Sequence, residues 1–376
     1  MNHKHLLAGV AAAAVMAAGN AYAAAHASVE DQIKANSAAI DALSKEVEAL
    51  KAGGGEIQKG VKGVNLKISG HVNRAVALFS DANGATDITY VDNDASSTRV
   101  RWDADTTTSG GLTIGTRLEM EMESNSSVAV NGQAANNNAG GDAFAARHAY
   151  VFIKGGFGTL TTGQQGEATE GILHNSFNFA SLADINPEHT NGSAIVGGGF
   201  LVFGDGGRQD SIRYDTPQFG GFQAAVSARD NGEVTVAGRY SGKVAGLGVL
   251  AGVGYEENFG NQIVSASAGI NFGVIALNGA MAVQMNEGAG VEDDAAWYVG
   301  LAHRGNYSDM GATSLGVDFS NNNGQRNNGI NNSSIGIGIV QGMAPGADAY
   351  ASLRHFFGGD AQDGAQAAMV GMRVTF

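Results

Sequence analysis

The sequence has no cysteine, three prolines among 376 residues and only 15% charged side chains. Without cysteine there is no disulfide framework, no thiolate metal site and no cysteine nucleophile. Basic residues are scarce, 22 against 36 acidic ones for a net charge of −14, and no basic patch stands out, so nucleic acid is not a partner. Beyond the first two dozen residues no apolar run reaches 18, which excludes helical membrane spans. It does not exclude a β-barrel, whose alternating strands leave little hydropathy trace. The nine histidines are scattered without an H-E-x-x-H pattern, and no serine, histidine and acid constellation stands out. No enzyme is expected, and no cofactor. What is abundant is glycine, 57 residues, together with Asn-, Ser- and Thr-rich stretches, a profile suited to many short strands and loops.

The amino terminus reads as targeting rather than structure. Lys4 supplies a positive start, "LLAGVAAAAVMAAG" an apolar core and "AYA" a small-x-small cleavage site, so residues 1–23 are a signal peptide. Residues 24–51 then carry a 3.5-residue period, with Ile33, Ile40 and Val47 on one seam and Asn36, Leu43 and Leu50 on the other. These six positions predict a short periplasmic coiled coil that self-associates, Asn36 fixing its register or oligomer state. A glycine-rich linker, 52–64, uncouples the coil from the rest of the chain.

From residue 65 onward the period is two. In "GGLTIGTRLEMEMESN", Leu112, Ile114, Thr116, Leu118, Met120 and Met122 share one face, while Arg117, Glu119, Glu121 and Glu123 share the other. Sixteen such segments begin between Lys67 and Gln366, joined alternately by tight turns such as "KGGFG" and long polar connections such as "SDANGATDITYVDNDASS". Tight turns alternating with long loops are the pattern of an up-and-down outer-membrane barrel, here 65–376, with both termini on the short-turn, periplasmic side. A soluble β-sandwich also alternates. The barrel accounts better for charges in mid-strand on one face, aliphatics on the other, and Phe79, Trp102, Phe219, Phe222, Trp297, Tyr298, Tyr307 and Phe357 near strand ends as interfacial girdles. Arg74 is out of place, in phase with Val72, Val76 and Leu78, and calls for either a bulge or a subunit contact. The chain ends in "QAAMVGMRVTF", which puts Val370, Met372, Val374 and the terminal Phe376 on the lipid phase.

The runs "RHAYVFIKGGFGTLTTGQQ" and "SIRYDTPQFGGFQAAVS", with "LKISGHVNRAVALF" and the terminal "MVGMRVTF", resemble the general porins of Gram-negative outer membranes over residues 64–376. The resemblance implies an all-β fold, a homotrimer of 16-stranded antiparallel transmembrane barrels, each with its third long loop folded inward, here preceded by the coiled coil. It implies a water-filled channel for passive diffusion of small hydrophilic solutes and ions. The third loop would be about Gly166 to Gly207, with Glu167, Glu170, Asp184, Glu188 and Asp205 at the constriction, facing an arginine cluster on the wall at Arg99, Arg101, Arg117 and Arg147. Local pairing of those arginines with Asp103, Asp105, Glu119 and Glu121 is the competing expectation. The resemblance also implies that Phe376 is the signal read by the outer-membrane assembly machinery.

Lipid and lipopolysaccharide are expected neighbours, with calcium a candidate bridge at the acidic loop "DANGATDITYVDND". Net acidity points to cation preference, although the charges at the constriction decide. Two alternatives stand beside the passive channel: an envelope tether acting through its coil, and a substrate-selective sugar porin. The latter needs an aromatic slide, and few aromatics fall in the inward phase.

Overall fold

The computed structural model of the chain describes residues 63–81, 84–129, 144–174, 176–186, 206–258, 261–285, 293–323, 331–357 and 364–376. The expected signal peptide and coiled coil, and the linker up to residue 62, lie outside them. Residues 69–376 form one compact unit. Its strands, with the first residues of β1 preceding it, are β1 (Asn65–Ser80), β2 (Thr86–Asp92), β3 (Arg99–Thr107), β4 (Thr113–Glu121), β5 (Ala145–Gly155), β6 (Gly158–Gly166), β7 (Arg208–Asp215), β8 (Phe222–Arg229) and β9 (Val234–Val244). They continue as β10 (Leu247–Asn258), β11 (Asn261–Asn271), β12 (Ile275–Met285), β13 (Asp294–Ser308), β14 (Gly311–Asn323), β15 (Asn332–Ala344), β16 (Ala347–Phe357) and β17 (Gln366–Thr375).

From β3 to β17 each strand pairs antiparallel with the next, and β17 returns to β1 in unbroken register from His71↔Thr375 to Ser80↔Gln366. At the seam Gly70 and Phe376 exchange both backbone hydrogen bonds at 2.9 Å. The ring of strands therefore closes on itself, the condition a β structure must meet to cross hydrocarbon. β1 pairs with both β2 and β3, so these two strands are halves of a single stave. Seventeen strands make the sixteen staves that the sequence predicts. The expected long loop before Arg99 is corrected: its middle is β2, which extends the first hairpin, because Ile88 and Tyr90 alternate outward against inward Thr89 and Val91.

The period-two pattern sets the two faces. Outward lie Val72, Val76, Leu78, Ile88, Val151, Ile212, Val253, Leu301, Ile337, Val370 and Met372, all exposed. The inward phase holds Ser227, Thr235, Ser265, Asn278, Ser320 and Ser334, all buried. Apolar outside and polar inside inverts a soluble protein, and an exposed apolar belt of this extent calls for lipid. Phe219, Phe222, Phe272, Tyr307 and Phe376 are exposed near the short-turn end, while Trp297, Phe319 and Phe357 stack near the other at 5.2 and 5.8 Å. Phe79 and Tyr298 do not belong to these girdles. Both are buried in the inward phase, because a residue near a strand end is still assigned to one face by parity.

No bulge excuses Arg74, since its register with β17 and β2 is regular. Its guanidinium stands on the outer wall, 3.2 Å from the buried Asp92 carboxylate and donating to the Ser124 carbonyl and hydroxyl at 3.1 and 3.0 Å.

Candidate functional site

The third long connection, described for 167–174, 176–186 and 206–207, does not hang free but marches around the inner wall. The Ala168 amide donates to Ser227 Oγ on β8 and Thr235 Oγ1 on β9, at 2.9 and 3.0 Å. Arg239 on β9 donates to the Ala168 and Glu170 carbonyls, and Thr169 Oγ1 reaches Glu256 on β10 at 3.3 Å. Ser267 on β11 then holds the Ile172 carbonyl, Asn278 on β12 accepts from the Phe177 amide at 2.7 Å, and Asn178 reaches the Tyr298 hydroxyl on β13 at 3.1 Å. Each wall residue is a polar side chain in the inward phase. That is why one continuous loop can satisfy its backbone without a partner strand.

The far end is latched by charge. Arg354 on β16, 1% exposed, gives Nε to Asp184 Oδ2 at 2.9 Å and a terminal amino group to the Asp184 carbonyl at 2.6 Å. The same guanidinium reaches Asp318 on β14 at 2.9 Å and Ser334 on β15 at 2.8 Å. The wall makes room with glycine. A Cβ on Gly338 would stand 2.5 Å from the Ala183 carbonyl oxygen, and one on Gly316 would stand 2.9 Å from Ala180 and Ile185.

Stave two meets this loop from the other side. Between β2 and β3 residues 93–98 leave the wall as a short 3-10 turn, Asp94–Ser96, capped by the Asn93 side chain accepting from the Ala95 amide. Inward-phase Asn73 and His71 hold the turn through the Ser96 and Ser97 carbonyls, each at 2.8 Å. Asn93 Nδ2 donates to the Leu182 carbonyl at 2.9 Å, joining turn and loop. Asp94 is in turn bound by the Ser126 hydroxyl and the Val128 amide of the β4–β5 connection. No sequence signal marked this turn, because a six-residue excursion within a stave looks like loop sequence.

The described half of the loop thus covers β8 to β16 and leaves β3 to β5 bare. The β3–β5 wall carries Arg99, Arg101, Arg117 and Arg147, the four expected wall arginines. Their partners are chiefly local: Arg101 to Glu119 at 2.5 Å, Arg117 to Asp103 at 2.7 Å, Arg147 to Glu119 and Glu121 at 3.0 and 2.6 Å, and Arg99 to Glu119 at 3.5 Å. The Glu119 carboxylate lies beneath the guanidiniums around it, whereas Asp103 is as exposed as its partner Arg117. Glu119 is 1% exposed, against 33% for Arg101 and 32% for Arg117. The loop's described acids pair elsewhere: Glu167 with Arg229, Glu170 with Arg208 at 2.5 Å, and Asp184 with Arg354. Glu188 and Asp205 lie outside the described residues, as do Ile33, Asn36, Ile40, Leu43, Val47 and Leu50.

Arg208, Arg229, Arg354 and Asp318 were missed in the sequence, although each of the last three sits in the inward phase of its strand. Also missed was an inward aromatic row on β5. His148, Tyr150 and Phe152 follow one another with ring centroids 5.7 and 6.5 Å apart. With Tyr298, Tyr350, Phe79 and Phe356 also buried inside, the expectation of few inward aromatics is corrected. Among the described residues no group of three or more His, Asp or Glu side chains could hold a metal ion.

These contacts carry two expectations. Removing the Arg354 guanidinium strands two buried carboxylates, at a cost on the order of 3–5 kcal/mol. Arg354→Met should therefore lower the melting temperature and turn a steady single-channel current into a flickering one; a native melt with a quiet current would show that the latch does not hold the loop. The second concerns Glu123, in the connection after β4, whose carboxyl is pushed up to about 9 by burial and then by its hydrogen bond with Asp94. The folded chain keeps this proton where the unfolded chain releases it, so stability falls as pH rises from the ordinary value of 4.5 to about 9. Glu123→Gln should flatten that part of the stability profile, measured by thermal unfolding across the window. An unchanged slope would exclude Glu123 as its source.

A family model described as Gram-negative porin matches residues 9–361. No curated protein sequence matches the chain. Among solved structures, the anion-selective porin from Comamonas acidovorans is similar at 19% identity and a TM-score of 0.59, covering 83% of this chain and 100% of its own. In-vitro folded OmpT, an outer membrane protein of Vibrio cholerae, is similar at 14% identity and a TM-score of 0.60, covering 85% and 100%. With a family match over most of its length, a closed sixteen-stave barrel and a loop folded along the lumen, the chain belongs to the Gram-negative porin family and forms a channel in the outer membrane.

Proposed function

We propose that small hydrophilic solutes and ions cross this channel by passive diffusion through a constriction bounded by the inward loop, described for 167–174 and 176–186, on one side and the β3–β5 wall on the other. The observation that carries this reading is the placement of the described part of the loop, residues 167–174 and 176–186, which lines β8 to β16. The channel is not a catalyst. Opposed loop acids and wall arginines are only part of the field, since Glu167 and Asp184 are spent on Arg229 and Arg354. On the β3–β5 wall Arg101 stands in front of the buried Glu119 while Arg117 lies beside an equally exposed Asp103, and charges lining a pore act more strongly than the protein total. The net charge of −14 is therefore a poor guide, and the reading is a modest anion preference in place of the cation preference that composition suggests.

The assembled form is a homotrimer. One of the similar structures is a trimer form of Vibrio cholerae OmpT, and here Arg74 with Asp92 and Ser124 makes a polar site on an otherwise apolar outer wall. A guanidinium facing acyl chains is costly, whereas one facing another subunit finds partners. The coil of residues 24–51 would clamp the trimer below the membrane, where both termini lie, with lipid and lipopolysaccharide around the rest. Phe376, exposed at the seam beside Gly70, is the end the assembly machinery reads.

Reversal potentials in a potassium chloride gradient across a planar bilayer should have the sign of chloride preference, and a cation sign would sink that assignment. Phe376→Ala should reduce heat-modifiable trimer in the outer membrane while export continues. Undiminished trimer would remove Phe376 from the recognition role and leave the barrel as it is.

A further inference from the structure

The β3–β5 wall carries more than charge. Arg117 on β4 and Tyr150 on β5 are directly paired across the strands, and both project into the lumen. Arg117 gives Nε to Asp103 at 2.7 Å, and its terminal amino groups have no hydrogen-bond partner among the described residues. The Tyr150 hydroxyl has none among them either. Two pairs further along, on the same face, Phe152 lies opposite Gly115, and its ring lies over that glycine so closely that a Cβ there would stand 2.5 Å from ring carbon Cζ.

We infer that this corner, Arg117, Tyr150 and Phe152, is a solute-binding subsite for aromatic carboxylates. The inference rests on the channel reading and names a substrate class for it. A planar guanidinium with an unspent edge takes a carboxylate through two parallel hydrogen bonds. The phenol offers a further donor or acceptor beside it, and the Tyr150 and Phe152 rings, 6.5 Å apart and tilted by 59°, offer a stacked and an edge contact to one small aromatic ring. Arg101, a third exposed with Nε and one terminal amino group bound to Glu119, adds positive potential on the same wall. A neutral sugar would use the rings and leave the guanidinium edge unpaired. An aliphatic carboxylate would use the guanidinium and leave the rings.

The test is block of chloride current through single channels by benzoate, with acetate, cyclohexanecarboxylate and glucose as comparators. Benzoate should reduce the current saturably, at lower concentration than the others. Arg117→Gln should weaken that block about tenfold or more, the value of a charge-assisted hydrogen bond. Phe152→Leu and Tyr150→Phe should each weaken it about threefold or more. Val151→Ala, on the lipid face of the same strand, should leave both conductance and block at the native level. Equal block by acetate and benzoate, equal block by glucose, or benzoate block that the three variants do not change would each overturn the subsite while the channel stands. Absence of any salt conductance in the native protein would overturn the channel reading and the subsite with it.

Discussion

Everything in this barrel depends on closure. A sheet exposed to hydrocarbon cannot leave a row of amides and carbonyls unpaired, since each costs several kcal/mol there. The seam between β1 and β17 meets that demand down to the last residue, where Phe376 and Gly70 bond each other in both directions. Closure also fixes parity. Once β1 and β17 are in register, every residue of the staves is committed to lipid or lumen, and a one-residue slip would put Arg373 on the outside and Val374 within.

Parity in turn supplies the means to hold the loop. A lumen wall of Ser, Thr, Asn and Arg is a row of donors and acceptors at strand spacing, and the loop from Ala168 to Asp184 takes one contact from nearly every stave it passes. No single contact in that row is large, as neutral hydrogen bonds contribute about 1 kcal/mol each. The exception is the end point, where Arg354 binds two buried carboxylates and loss of either partner leaves an uncompensated charge. A loop tied weakly along its length and firmly at its tip keeps its path, and so keeps the constriction where it is.

Period two was enough to find the barrel, because alternation from "TRLEMEME" to "MVGMRVTF" is local information and the burial of Glu119, Met369 and their neighbours follows it residue by residue. Stave two was not legible, since β2 is separated from β3 by a turn whose polar residues look like any loop. Phe79 and Tyr298 were read by their position near strand ends when their parity already assigned them to the lumen. Pairing between charges was legible only where it was local. Asp103 with Arg117, and Glu119 with Arg101, sit opposite one another on adjacent strands, whereas Asp184 and Arg354 are 170 residues apart and meet only because the loop crosses nine staves. No spacing rule reaches that far.

The same distinction governs how charge should be counted. Acidic residues exceed basic ones by fourteen in the whole chain, yet on the β3–β5 wall Glu119 is beneath and the Arg101 guanidinium is in front of it, while Arg117 shares its exposure with Asp103. A carboxylate makes compact contacts and can be enclosed by several arginines, while an arginine's long stem carries its charge past its partner toward water. Stacking the two therefore gives a surface whose outer layer is positive even when its total is nearly neutral. In a narrow aqueous gap the outer layer is what a solute meets first, at distances short enough that salt does not screen it. The sign that governs passage is set by which partner of each pair lies in front, and over Glu119 that partner is Arg101.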